Sequence, residues 1–334
     1  TLGLTEAQRA SAIAISGVHG GDGGSVFFDA LSGGLRDIAQ NTMTNNFMIP
    51  VNETRDTKRP LVLSTAIDYS TGVLEITCDE TIDATPSTNL DPSLIQISNT
   101  ASAAEGLGTG VKLTGATVTS TDGTTVTVTL TELQRSLVIA MSNTPGGDGD
   151  AVVIDFEFGA LLDVGVNYNR GTPINQGISC TETADTILPS VTQARLNYGT
   201  GVMEIDTDEI IDVTPGSLVL LPNLFLADSS GDDYLVLDGA AVSGADGQTF
   251  TVTLTETQRA TAVVKSGVFG GDSSALVLDA KASSIQDIGE NQNAGELSLT
   301  VTEISDVLRP TITSGAFLSL GNGILSITAS ESIL

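Results

Sequence analysis

Tryptophan is missing from these 334 residues, histidine occurs once, cysteine twice, and only thirteen residues are basic. A single histidine, His19, with Pro145 and Phe269 at the matching places further on, excludes a catalytic base or a histidine zinc site carried by each repeat. Two cysteines, Cys78 and Cys180, whose counterparts are small ordinary residues, read as separate buried fillers rather than a disulfide framework. With no tryptophan and only Tyr69, Tyr168, Tyr198 and Tyr234 as tyrosines, the aromatic platforms that stack sugars are scarce. Forty-one acidic residues against thirteen basic give a net charge of −28, which repels nucleic acid and anionic membranes and attracts divalent cations. No stretch reaches the roughly 18 apolar residues of a membrane-crossing helix, and the first residues show no basic region followed by an apolar one.

What is present is Thr, Ser, Gly, Asp, Val, Ile and Leu, the composition of strands with β-branched residues inside and hydroxyls outside, joined by small-residue turns. The expectation is all-β. Three phrases recur in fixed order. LTEAQR at 4–9 returns as LTELQR at 130–135 and LTETQR at 254–259. STGVLEITCDETID at 70–83 returns as GTGVMEIDTDEIID at 199–212 and GNGILSITASESIL at 321–334. DTKRP at 56–60 returns as DTILP at 185–189 and DVLRP at 306–310, while GGDG at 146–149 has counterparts at 20–23 and 270–273. The period, about 121 to 129 residues, is that of a domain and not of a solenoid turn.

Set in register, the phrases give the later part of a repeat at 1–51, complete repeats at 52–178 and 179–301, and the opening part of another at 302–334. Head and tail together would lack the equivalent of residues 84–126, so the simpler reading is a window onto a longer array; donor-strand assembly between fragments is the alternative. Within the first complete repeat, strands are expected at 61–63, 73–78, 94–97, 111–118, 125–130 and 151–158, with the residues after 172 closing the sheet. In Thr125–Leu130, Val126, Val128 and Leu130 alternate with threonines, and Phe250, Val252 and Leu254 repeat the pattern. About seven such strands describe a two-sheet, Greek-key sandwich.

Thr131 and Gln134 have capping-box spacing, as do Thr5 with Gln8 and Thr255 with Gln258. Each phrase therefore predicts a short helix after a late strand, stopped by glycine, with Arg9, Arg135 or Arg259 one turn in and bridged to a carboxylate of its own repeat or the next.

Acidic residues also recur in register. Asp79, Glu80 and Asp83 follow the second strand, as do Asp208, Glu209 and Asp212. Glu53 with Asp56, Glu182 with Asp185 and Glu303 with Asp306 stand near the boundaries. A third set comprises Asp29, Asp37 and Asn41; Asp155, Asp163 and Asn167; and Asp279, Asp287 and Asn291. Calcium takes six to eight hard oxygens, so boundary acids meeting loop acids of a neighbour would form a calcium joint. The bland reading is that these are turn residues, since Asp and Asn cap backbone turns on their own account. No EF-hand spacing occurs, and GGDG reads first as a turn. Asn52-Glu53-Thr54 is a lone glycosylation sequon, meaningful only where that machinery exists.

The D-x-x-x-P opening, the G-x-L-x-I-x-x-x-E-x-I-D second strand, the T-V-T-V-x-L strand and the late D-x-x-x-N resemble the bacterial Ig-like and cadherin-like modules found in tandem in large secreted or surface proteins. The matching residues are Asp56, Pro60, Leu74, Ile76, Glu80, Asp83, Asp163 and Asn167, and then Asp185, Pro189, Met203, Ile205, Glu209, Asp212, Asp287 and Asn291. The resemblance implies extracellular or cell-surface placement, a structural or adhesive role, and calcium at many joints. The function expected is a non-enzymatic shaft or spacer, with filament formation through neighbouring repeats or copies of itself. The rival is an adhesive or carbohydrate-binding module taking surface glycans or proteins, and hydrolysis of glycans by paired carboxylates ranks third.

Overall fold

A computed structural model describes residues 1–99, 110–171, 177–228, 235–313 and 315–333. The chain divides into two compact units, Thr1–Asp185 and Thr186–Leu334.

The first unit holds α1 (Glu6–Ala14), β1 (Phe27–Ala30), β2 (Asn46–Pro50), β3 (Val62–Asp68), β4 (Val73–Ile82), β5 (Ile95–Ser98), β6 (Val111–Lys112), β7 (Thr117–Val118), β8 (Gly123–Thr129), α2 (Glu132–Ile139), β9 (Val153–Phe156) and β10 (Ile178–Thr183). The second holds β11 (Val191–Asn197), β12 (Val202–Ile211), β13 (Leu224–Asp228), β14 (Leu235–Val236), β15 (Ala241–Ser243), β16 (Gly247–Thr253), α3 (Glu256–Val264), β17 (Leu276–Lys281), β18 (Gly295–Ile304), β19 (Phe317–Ser319) and β20 (Ile324–Ser326).

Strand order in the first complete repeat is β6-β5-β9-β10-β3-β4-β8-β7, and β14-β13-β17-β18-β11-β12-β16-β15 repeats it. One strand belongs to both halves. The start of β10 pairs antiparallel with β9, Ile178 opposite Ile154, while its end pairs parallel with β3, Cys180 opposite Thr65 through Thr183 opposite Asp68. β18 divides in the same way between β17 and β11. The sheet thus folds over itself at that strand and encloses one core. In the second unit the core joins Leu196, Met203, Ile205, Phe250 and Val252 from one half to Leu224, Leu226, Leu276 and Leu278 from the other. The alternating Val126 and Val128, and Phe250 and Val252, are all at most 1% exposed. This is the all-β, two-layer arrangement that the alternating pattern dictates.

The boundaries expected at 178/179 and 301/302 fall within β10 and β18, whose later residues complete the sandwich before them by pairing with β3 and β11. The reason is that a strand switching sheets has no composition change at the switch. Cys78 is buried but Cys180 is only partly so; both are free thiols, raised by burial to about 12 and about 11.

Helices α1, α2 and α3 each start with the full capping box, the threonine hydroxyl accepting from the Gln N–H and the Gln side chain accepting from the threonine N–H. Such a cap contributes about 1 kcal/mol. Gln134 and Gln258 do more, since each amide donates to two carbonyls at the end of β6 or β14, Lys112 and Thr114 or Val236 and Asp238, at 2.9–3.0 Å. The helices do not end on glycine. Their caps are Ile15, Ala140 and Lys265, and the GGD glycines serve the loop that folds back beneath. A Cβ on Gly147 would lie 2.1 Å from the Ser142 carbonyl oxygen, so the chain can pass there only as glycine.

Candidate functional site

The recurring arginine organises the ends of the repeats. Arg9 on α1 grips Glu6 with Nε and Nη2, both at 2.7 Å, and reaches into the following repeat, to Asp56 at 2.6 Å and Glu80 at 3.0 Å. Glu6 Oε1 also accepts the Thr81 backbone N–H at 2.8 Å, at the end of β4. Within the second unit the same set recurs. Arg259 holds Glu256 at 2.7 Å and 2.9 Å, Asp306 at 2.8 Å and Glu331 at 3.5 Å, and Ser332 N donates to Glu256 at 2.6 Å. Arg135, almost buried, bonds Glu132, Asp185 and the Tyr69 carbonyl oxygen. The phrase LTExQR is therefore a cap and a latch in six residues. Threonine and glutamine start the helix, and glutamate, one turn before arginine, pre-orients the guanidinium fork for the next repeat's acids.

Other groups tighten the first of these joints. Lys58 bridges Asp79 at 2.7 Å and Glu80 at 3.0 Å. Gly20, at φ +99°, sits where a Cβ would be 2.4 Å from the Val164 carbonyl oxygen of the next repeat, so the GGDG loop is also a joint contact.

The acidic candidates sort by what they accept. Asp79 and Asp208 take the Leu61 and Ser190 N–H groups at 2.8 and 2.7 Å, bracing the bulged start of the first strand. Asp83 and Asp212 close turns on Thr85 and Thr214. Glu182 accepts Val152 N and Asn143 N together with the Tyr69 hydroxyl at 2.8 Å, and Glu53 accepts Val26 N and Gly17 N, both at 3.0 Å. Asp163 is bonded by Asn167 N at 2.7 Å and by its amide, and Asp287 by Asn291 in the same way. Glu209 is buried at the end of β12.

Of the candidates in the first unit, Asp56, Glu80 and Asp163 come together, with one oxygen of each within 4.8 Å of the others. The calcium expectation has its best ground here, and the donor set tests it. Asp56 accepts from Arg9 Nη1 and the Lys58 backbone N–H, Asp163 accepts from Asn167, and Glu80 accepts from Arg9 Nη2 through one oxygen while the other lies 3.0 Å from the Lys58 ammonium without a hydrogen bond. A cation needing six to eight oxygens does not fit these donors without displacing them. Burial pushes the Glu80 carboxyl upward against the pull of Lys58 and Arg9, and pushes Asp163 upward against its bonds from Asn167.

Sequence reasoning passed over Asn169 and Asn293. Each is fully or nearly buried, and each accepts two backbone N–H groups, from Gly159 and Leu161 or Ser284 and Ile285, while donating to the carbonyl of Glu157 or Lys281. The signal was there as N-x-N, Asn167-Tyr168-Asn169 and Asn291-Gln292-Asn293. Of the tyrosines, Tyr69 and Tyr198 are wholly buried, Tyr168 is 46% exposed beside Phe158, and Tyr234 lies outside the described residues.

The Arg9 hydrogen bonds and the Thr81 N–H hold the Glu6 carboxyl at about 2, well below its ordinary 4.5. A depressed carboxylate stabilises fully above its unfolded value, and that contribution is lost as pH falls towards the folded one. The expected result is that the intact chain melts above its Glu6→Gln variant at pH 6 and that the gap closes between pH 4.5 and 2. The raised Glu80 and Asp163 act in the opposite sense but are present in both proteins, so the difference reads Glu6. A gap constant with pH would refute the charged latch.

No family model matches the chain, and no curated protein matches it. Among solved structures it is similar to the N-terminal part of the bacterial S-layer protein SbsC, at 14% identity and TM-score 0.23, covering 73% of this chain and 44% of that one. It is similar to domains 1–6 of the same surface layer protein, at 13% identity and TM-score 0.24, over 82% of this chain and 32% of that one. The titin fragment A168–A169 matches at 9% identity and TM-score 0.26, over 74% of this chain and all of the fragment. This chain spans less than half the length of those S-layer structures. No helix among the described residues is long and apolar enough to cross a membrane.

Proposed function

We propose that this chain is a non-enzymatic structural run of an extracellular or cell-surface protein, a spacer in which the arginine of a capped helix latches a repeat to the opening residues of the repeat that follows. One observation carries the reading. The Glu6–Arg9 and Glu256–Arg259 latches engage the same three features of the repeat that follows: its opening aspartate, Asp56 or Asp306, the register-equivalent glutamate, Glu80 or Glu331, and the next backbone N–H, of Thr81 or Ser332. Specific joints rather than loose linkers are what a spacer of defined geometry requires.

The joint supplies its own cations, so calcium is not needed to neutralise its acids. Spin labels on Ser32 and Thr121, either side of the first joint, should give a narrow distance distribution in the intact chain, the same in millimolar calcium and in EGTA, and a broad one in Arg9→Ala. A broad distribution in the intact chain would sink the latched spacer. A distribution that narrows only with calcium would return the metal to Asp56, Glu80 and Asp163.

A further inference from the structure

Arg59, Phe158, Tyr168 and Arg170 break the repeat register of the first complete repeat and meet on its surface. The second complete repeat has Leu188, Ala282, Gln292 and Ala294 in their places, and residues 1–51 have Ser32, Thr42 and Thr44 where Phe158, Tyr168 and Arg170 stand. Neither the core nor the latch uses them. A chain poor in basic and aromatic residues has gathered both kinds at one place, in one repeat.

The fold turns these side chains outward by pinning what lies between them. Asn169 is buried and bonded to Gly159 N, Leu161 N and the Glu157 carbonyl, so its neighbours Tyr168 and Arg170 emerge on either side of it. Gly171 then passes so close to Phe158 that a Cβ there would lie 2.7 Å from the Phe158 nitrogen. Phe158 is 57% exposed; its ring stands 5.8 Å from that of Tyr168, tilted by 55°, and the Arg59 guanidinium lies over it at 5.5 Å. A cavity of about 310 Å³ is lined among others by Lys58, Arg59, Leu61, Asp79 and Arg170. Asp79 is countered by Lys58 at 2.7 Å, and Glu157, next to Phe158, by Lys112 at 3.3 Å, so neither acid confronts an incoming anion unpaired. The opening segment is at the surface in the second complete repeat too, where Ile187 and Leu188, the counterparts of Lys58 and Arg59, are 47% and 45% exposed.

We propose that this patch binds a carboxylate-bearing sugar, a uronic acid unit of an acidic polysaccharide, with the apolar C–H face of the sugar against Phe158 and Tyr168 and its carboxylate on the guanidinium groups of Arg59 and Arg170. A planar fork of N–H donors matches a carboxylate in both geometry and charge. Exposed rings supply the apolar surface on which a pyranose stacks, and the cavity lies at the small end of ligand sites, the size for one sugar unit with the rest of the polymer in solvent. A peptide fits less well. β3 and β9, the strands nearest in sequence to Arg59 and Phe158, are each paired on both sides and offer no edge, and the cavity lining has only Pro60 and Leu61 as apolar side chains, too few to seat a helix. The site goes beyond the spacer reading by giving the spacer a point of attachment, and it does not rest on the latch.

The test is isothermal titration of the intact chain with tetragalacturonate, in EGTA and at physiological ionic strength, where screening over about 8 Å removes the repulsion of distant acids. Saturable binding is expected, weakened about tenfold or more for the fully methyl-esterified tetramer, which keeps the sugar rings and loses the charge. A tetraglutamate peptide, with the charge and without the rings, should also bind about tenfold more weakly. Tyr168→Gln and Arg170→Ala place the second repeat's own residues at these exposed positions, so the fold is kept and the melt unchanged; each should weaken binding about fivefold or more, and together they should abolish it. Arg195→Ala, on the second complete repeat, should leave binding as it was. No binding of the tetramer, equal affinity for acid and ester, equal affinity for tetraglutamate, or binding that survives the double variant would each overturn the site. The Arg9 spin-label experiment reads the latch separately, so either idea can fail without the other.

Discussion

Arg135→Met is expected to lower the stability of the first unit by about 3–5 kcal/mol, the cost of removing one member of a buried ion pair. The side chain of Arg135 is 7% exposed and that of Asp185 is 1% exposed. Methionine keeps much of the volume and the apolar stem, so the loss is that of the guanidinium, which bonds Glu132, Asp185 and the Tyr69 carbonyl. The Asp185 carboxylate then loses its guanidinium partner while staying buried, and the peptide carbonyl of Tyr69 loses a donor. Denaturant unfolding of the intact chain measures the effect on the transition of residues 1–185. Combining Arg135→Met with Asp185→Asn should recover part of the loss, because it removes the buried charge that makes the single change costly. A single variant within 1 kcal/mol of the parent would show that the pair contributes little beyond its packing. Arg135→Lys should fall between, since an ammonium cannot form the fork that meets Glu132 and Asp185 together.

Tyr198→Ala should cost the second unit about 3–5 kcal/mol, in the range of large aromatic truncations. The ring lies wholly inside the core cluster with Leu196, Met203 and Leu254, and its backbone N–H bonds Ile304 O at 3.0 Å, where β11 meets β18. Tyr198→Phe separates the two contributions. It keeps the ring and removes the hydroxyl from Glu303, a carboxylate that retains its bonds from Gly267 N and Leu276 N. The expected cost is about 1.5–3 kcal/mol, the value of a hydrogen bond to a charged partner. Equal losses for Ala and Phe would mean that the hydroxyl, and not the packing, accounts for the residue.

The two-layer fold was legible because periodicity is a local property. Thr125–Leu130 alternates, so one face must be buried, and the capping boxes at Thr5, Thr131 and Thr255 form for the same local reason. The repeat phrases also marked Arg9, Arg135 and Arg259 as salt-bridged residues. Less was legible in the acids. Asp79, Asp83 and Asp163 carry the same carboxylate and recur equally well, yet the first braces a bulge, the second closes a turn and the third lies buried against Asn167 beside Asp56 and Glu80. Recurrence shows that a position matters to every repeat without showing which atom it faces.

By itself the sequence determined the strand alternation, the helix caps, the repeat register and the acidic surface, each of which depends on neighbours a few residues away or on composition alone. Tertiary structure alone decided that β10 and β18 serve both halves of a folded sheet, that arginine and lysine rather than open oxygens surround Asp56 and Glu80, and that Tyr69 finds Glu182 across 113 positions. Those outcomes depend on distances between residues far apart in the chain, and a carboxylate takes whichever donor the fold brings within hydrogen-bonding range.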